Sequence, residues 1–263
     1  MYAFDLERPT TLADAVAALS NEDAQALGGG QTLIPTLKQR LANPEKLVSL
    51  SAISELQGIC TSSDGAVCIG GATTHGAVAS EVTSLYPGLA ALAGHIGDPA
   101  VRNRGTIGGS LANNDPSACY PAAALGSGAT IVTNTREIAA DDYFQGMFTT
   151  ALEEGEIVTE VRFPVPEASN YQKFVQPASR FALVGVFVAK FADGVRVAVT
   201  GASEEGVFRW NEAEVALGAD FSADALSDLS VSADGMIGDL HGTPEYRAHL
   251  IKVLTGRAVT AAR

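Results

Sequence analysis

The triplet Gly28-Gly29-Gly30 restricts most strongly what this chain can become. It follows a short apolar step, Ala26-Leu27, and runs into a stretch of helical spacing from Leu33 to Leu41. Three successive residues without a Cβ, set between a strand and a helix, let backbone N–H groups approach an anion closely. A helix N-terminus adds partial positive charge. Gly28, Gly29, Gly30, Gln31, Thr32 and Leu33 therefore form a candidate phosphate-binding turn. No Gly-Lys-Ser/Thr follows, so it is not a P-loop, and it does not match G-x-G-x-x-G. A plain flexible joint explains the same residues equally well.

A second dense segment runs from Arg102 to Pro116, reading Arg-Asn-Arg-Gly-Thr-Ile-Gly-Gly-Ser-Leu-Ala-Asn-Asn-Asp-Pro. Two arginines, a Gly-Gly pair and many small hydrogen-bonding side chains read as a long polar loop with donors for a pyrophosphate. Long structureless loops inside compact domains are usually functional. The two glycine segments together suit one dinucleotide, although neither establishes it alone. A side chain at Gly109 is expected to block approach to the pyrophosphate, at a position of positive φ.

Around these segments the pattern is mixed α+β. Thr11 and Asp14 mark a helix start, and Leu47 to Leu50 reads as a strand, so the opening is a small β-α-β-like unit ending near Ser51. Ala66 to Ile69 and Ala129 to Thr133 read as strands, Thr74 to Val78 and Leu89 to Ile96 as helices. Pro164, Pro166 and the polar run Glu167 to Asn170 read as a linker. Beyond it, Asp193-Gly194 separates Val186–Lys190 from Val195–Thr200 as a hairpin, and helices are expected near Ser222–Leu229 and Pro244–Leu254.

Composition excludes several function classes. With 17 Lys+Arg against 30 Asp+Glu the net charge is −13, which opposes unaided nucleic-acid binding and docking on an anionic membrane. No apolar run reaches the length of a spanning helix, and the N-terminus has no secretory pattern, so a cytoplasmic protein is expected. The three cysteines, Cys60, Cys68 and Cys119, are too few for an iron–sulfur cluster of this chain's own, and no metal ligands are expected. His75, His95, His241 and His249 form no metal-spaced pair, and no nucleophile–base pair is evident, so no catalytic residues are assigned.

Three segments carry a family resemblance: Gly29 to Pro35 (Gly-Gly-Gln-Thr-Leu-Ile-Pro), Gly71 to His75 (Gly-Ala-Thr-Thr-His), and Asp98 to Ser110. With them the whole chain resembles the FAD-binding medium subunit of the molybdenum hydroxylases, of the aerobic carbon monoxide dehydrogenase and xanthine dehydrogenase type. The resemblance implies a two-part vanillyl-alcohol-oxidase-type (PCMH-type) FAD-binding domain over residues 1–169, with subdomains of about 1–52 and 53–169. A small C-terminal α+β domain over 170–263 follows. It implies that Gly28 to Leu33, together with Thr106, Ile107, Gly108, Gly109 and Ser110, hold the FAD pyrophosphate. Ile96 falls where the family packs against the cofactor, and Ile157 and Val158 where backbone groups contact it. Asn113 and Asp115 are candidates for ribose or phosphate contacts, and Lys173 for a flavin-side contact. Two positions depart from the pattern: Cys119 stands where many relatives carry an Asp that helps hold the adenosine, and Arg180 replaces an acidic residue near the flavin.

The implied role is a redox subunit rather than a complete enzyme. A large partner would carry the molybdenum cofactor and a small partner two [2Fe–2S] clusters, in two copies of a three-subunit unit. This chain's FAD would pass electrons to an external acceptor, NAD or a quinone. A self-contained flavin oxidase and a non-redox nucleotide-binding module are the competing readings.

Overall fold

The computed structural model describes residues 1–177 and 179–263. Three successive units each build their own sheet. The first contains β1 (Asp5–Glu7), α1 (Leu12–Leu19), β2 (Ala24–Leu27), α2 (Leu33–Lys38) and β3 (Lys46–Ser49), and its strands run parallel in the order β1-β3-β2. Thr11 caps α1 by accepting from the Asp14 N–H, as its spacing predicts. The helical pattern read to Leu41 stops at Lys38, because Arg40 takes a positive φ of 61° and turns the chain out.

The second unit contains β4 (Ile59–Thr61), β5 (Val67–Gly70), α3 (His75–Glu81), α4 (Pro87–Gly94), α5 (Pro99–Arg102), α6 (Ile107–Asn113), α7 (Tyr120–Ser127), β6 (Thr130–Thr133), β7 (Glu137–Ala139), α8 (Ala140–Tyr143), β8 (Phe144–Gly146), β9 (Thr149–Thr150) and β10 (Val158–Phe163). Its main sheet is antiparallel in the order β4-β5-β10-β6-β7. The segment Arg102–Pro116, expected as a long loop, is largely helical: Arg102 ends α5 and Ile107–Asn113 forms α6. Helix α6 tolerates its glycines because of what they pack against. A Cβ at Gly108 would meet the Gly71 carbonyl oxygen at 2.6 Å.

The third unit contains β11 (Ala168–Val175), β12 (Ala182–Phe191), β13 (Gly194–Ser203), β14 (Gly206–Arg209), α9 (Asn211–Ala219) and α10 (Pro244–Ala261). Strands β11 to β14 form an antiparallel meander, with Val186 opposite Val199 in the expected hairpin. The linker reading of Glu167–Asn170 fails, since Ala168 to Asn170 already pair with Lys190, Ala189 and Val188. The helix expected over Ser222–Leu229 is only a single 3₁₀ turn, Ala223–Leu226; the longer helix, α9, lies earlier. Both faces of the third sheet are covered. Phe187, Ala189 and Ala198 join the core of the second unit, whereas Val186, Val188 and Val197 pack with Leu217, Ile251 and Leu254 of α9 and α10. That two-sided burial explains the uninterrupted apolar run of β12.

Candidate functional site

The two glycine segments touch. Gly29 packs so tightly on the 104–105 turn that a Cβ there would overlap the Arg104 carbonyl oxygen, and a Cβ on Gly28 would meet Thr106 Oγ1 at 2.9 Å. Thr106 caps α6 by accepting from the Gly109 N–H at 3.2 Å. The contact forms one wall of a cavity of about 600 Å³, a size typical of sites for small molecules and cofactors.

Backbone donors divide unequally between the segments. The Ile107 N–H donates to the Thr73 carbonyl at 3.1 Å and the Gly108 N–H to the Gly71 carbonyl at 2.9 Å. With Gly109 satisfied by Thr106, the first turn of α6 is committed to the chain itself. From Gly28 to Leu33, by contrast, no backbone N–H finds an acceptor among the described residues. Unpaired donors of this kind are normally met by water or a ligand. A run of them beside glycines makes a concave donor surface suited to an anion.

All the expected site residues but one border this cavity. Gly28, Gly29, Gly30, Gln31, Thr32 and Leu33 line it from the first unit. Ile96, Thr106, Gly108, Gly109, Ser110, Asn113, Asp115, Ile157 and Val158 line it from the second, and Lys173 from the third. Ile107 does not: its side chain is fully buried in the core beneath α6, and its N–H is already used. Gly109 also corrects an expectation, because it lies in the first helical turn and not at positive φ.

Several supports hold these residues in place. Arg102 donates through Nη1 to the carbonyls of Ile96 at 2.9 Å and Gly97 at 3.2 Å, and Lys173 Nζ donates to the His95 carbonyl at 2.9 Å. Ile157 is fastened to Asn134 by hydrogen bonds in both directions. Glu156, with only 2% of its side chain exposed, accepts from Arg136, Thr133 and Thr135, and these hold its carboxyl down at about 2, the Arg136 guanidinium contributing most.

Some lining residues give no clear signal in the sequence. Phe148 lies at the cavity rim, 59% exposed and at φ 56°. It is held there because buried Asn114, itself at φ 41°, donates to the carbonyls of Gly146 and Thr149 and accepts the Phe148 N–H. Phe181 borders the cavity from the third unit, beside the two positions that depart from the family pattern, Arg180 and Cys119, the latter a buried free thiol. The only hint for Phe148 is an exposed-type Gly-Met-Phe turn.

His75, in the Gly71–His75 segment, also borders the cavity. It is 5% exposed, its Nδ1 has no partner among the described residues, and burial pushes its pKa down to about 4, with nearby Arg102 adding to the effect. The folded chain thus keeps His75 neutral while the unfolded chain protonates it near 6.5. The stability this contributes is complete above pH 6.5 and is lost as pH falls toward 4. We expect the stability difference between wild type and His75→Leu to change by on the order of 3 kcal/mol across that window. Chemical denaturation at a series of pH values measures it, and parallel curves would rule out a neutral buried His75.

Comparison with known proteins places this geometry in a family. Residues 2–166 match the model of the FAD binding domain in molybdopterin dehydrogenase. The chain is 33% identical over 279 residues to the carbon monoxide dehydrogenase medium chain of Afipia carboxidovorans, covering 99% of this chain and 97% of the relative. It is 34% identical over 272 residues to the nicotine 6-hydroxylase medium subunit of Paenarthrobacter nicotinovorans, covering 97% and 95%. The crystal structure of quinoline 2-oxidoreductase from Pseudomonas putida 86 superposes with a TM-score of 0.88 at 30% identity, over 98% of this chain and 96% of that one. A glycine-walled cavity with a run of free N–H groups, lying in a segment that matches this model, leads to one assignment: the chain belongs to the family of FAD-binding domains of molybdopterin dehydrogenases.

Proposed function

We propose that this chain is the FAD-carrying electron-transfer subunit of a molybdenum hydroxylase complex. It takes electrons from [2Fe–2S] clusters on a small partner and passes them to an external acceptor, NAD or a quinone. A large partner bearing the molybdenum cofactor oxidises the substrate, and two such three-subunit units assemble in the cytoplasm. The observation that carries the reading is the run of N–H groups from Gly28 to Leu33 without an acceptor among the described residues, in residues that line a cavity walled by glycines.

The residues fit the cofactor. The N–H groups of Gly28 to Leu33 would receive the phosphate oxygens, with Gly29 holding that segment against the 104–105 turn. Ser110, Asn113 and Asp115 offer polar side chains to the ribose and phosphate, while Ile96, Ile157 and Val158 supply apolar wall. Lys173 brings a cation from the third sheet. Bound FAD supplies the redox chemistry, and the chain supplies orientation and tuning. Residues 1–169 are read as a two-part PCMH-type domain, divided near residue 52, with a small domain after it. Because Ala168 and Ser169 already belong to β11, the Pro164–Glu167 connection is the better boundary.

The chain is expected to bind FAD non-covalently. Acid precipitation should release the flavin into the supernatant, and flavin retained in the pellet would contradict this. The complex itself is tested by pull-down of the native protein with metal analysis. Co-purified iron and molybdenum support the subunit reading. A lone monomer without either metal, turning over an organic substrate with oxygen, would establish a self-contained oxidase instead.

A further inference from the structure

Val67 and Ile69 of β5 point into the core, so Cys68 between them faces the other side of the five-stranded sheet. Cys60 of β4 lies directly opposite Cys68 in the antiparallel register, and Glu160 of β10 belongs to the same outer face. The two Sγ atoms and a Glu160 carboxylate oxygen all lie within 4.8 Å of one another. None of the three borders the cofactor cavity. Cys60 is exposed and Cys68 buried, so the cluster has one open side and one sheltered side.

We propose that Cys60, Cys68 and Glu160 form a binding site for a thiophilic divalent cation, Zn²⁺ being the fitting ion. Two sulfur ligands and one carboxylate are a zinc donor set, and three protein ligands leave the fourth tetrahedral position to water. Zn–S bonds of about 2.3 Å require sulfurs about 3.8 Å apart, and the two Sγ atoms already lie within 4.8 Å of each other on paired strands. As the ion binds, each thiol loses its proton to solvent and each sulfur forms a bond to zinc. One Glu160 oxygen is engaged by Arg162 Nε at 2.6 Å, which leaves the other for the metal.

The surrounding charge favours a cation. Arg162 is shared between Glu160 at 2.6 Å and Glu137 at 2.7 Å. Two carboxylates thus meet one guanidinium, before either thiol ionises. The sequence conceals the site, because Cys60 and Cys68 are eight positions apart, outside any C-x-x-C spacing, and only the hairpin register brings them opposite.

The test uses the full chain, reduced and stripped of metal. Zn²⁺ is titrated against a chromophoric chelator, and Cd²⁺ is used to read the thiolate-to-metal absorption band. We expect one ion per chain and loss of the band in both Cys60→Ser and Cys68→Ser. Glu160→Gln should weaken binding by at least about tenfold, the scale on which even outer partners of a metal site act. Cys119→Ser should leave the band unchanged. Thermal melts confirm that each variant is folded, and exposed Cys60 makes Cys60→Ser the safest of them. The proposal is overturned if the double variant Cys60→Ser/Cys68→Ser still binds with the same stoichiometry and band. It is equally overturned if the wild type takes up no stoichiometric ion, or if the two thiols close to an internal disulfide in the presence of Zn²⁺.

Discussion

Gly109→Val should fold and yet come without flavin. Gly109 sits in the first turn of α6, and among the described residues a Cβ there meets only Thr106 Oγ1, at 3.0 Å. That contact can relax, and valine is a better helix residue than glycine, so stability should change by less than about 1 kcal/mol. The branched methyls, however, enter the slot opposite Gly28, whose own Cβ position is 3.8 Å from the Gly109 Cα. They take space that a phosphate needs beside the free N–H groups. Flavin per protein, read from visible absorbance, should fall at least tenfold, about 1.4 kcal/mol or more of binding. Unchanged occupancy in a folded variant would sink the two-segment site. Gly29→Ala makes a contrasting control: its Cβ overlaps the Arg104 backbone, so it should lower both stability and occupancy.

How much of this was legible in the sequence depends on how local each cause is. Thr11 and Thr243 cap helices through hydrogen bonds to residues three positions on, and such spacing can be read directly, whereas Thr106 does the same for α6 inside a segment whose glycines and polar side chains read as a loop. The β12–β13 hairpin was legible for the same reason, because its turn and its alternation are adjacent in the chain. Helix α9 was not: only Ala213 and Leu217 of its residues are buried, so its periodicity is faint. Strand β11 opens with Ala-Ser-Asn, which looks like linker until Lys190 to Val188 are known to pair with it. In the cavity, motif strings located segments that border it but not which of their residues face it. Ile107 stands inside the most telling string, yet helical phase turns it into the core while Gly108 and Gly109 face the cavity. Phe148 is presented by Asn114, 34 positions earlier, a coupling without a local signature.

Arg247→Met should produce the largest loss of stability. Arg247 is 1% exposed on α10, and its Nη1 donates at 2.7 Å to the carbonyls of both Leu183 and Gly201. Its Nη2 pairs with Asp239 at 2.8 Å, and Asp239 in turn accepts from the N–H groups of His241 and Gly242. Gly201 has φ 83°, and a Cβ there would meet the Ala182 carbonyl at 2.7 Å, so this irregular part of β13 depends on an outside donor. Methionine keeps the volume but supplies no donor, leaving two carbonyls unmet and the Asp239 carboxylate with only its two backbone donors. Breaking a buried ion pair costs about 3–5 kcal/mol. Asp239 is partly exposed and can rehydrate, which favours the lower end. For a chain of this size the melting temperature should fall by about 5–15 °C. A shift within 2 °C would show that the guanidinium does not hold the sheet. The consequence for the cofactor differs in kind from that of Gly109→Val. The weakened sheet carries Lys173 on the cavity wall, with Arg180 and Phe181 just before β12, but the Gly28–Leu33 segment lies in the first unit and is untouched. A ligand that binds only the folded state stabilises it by mass action. At the same added concentration, FAD should therefore raise the melting temperature of Arg247→Met more than that of Gly109→Val.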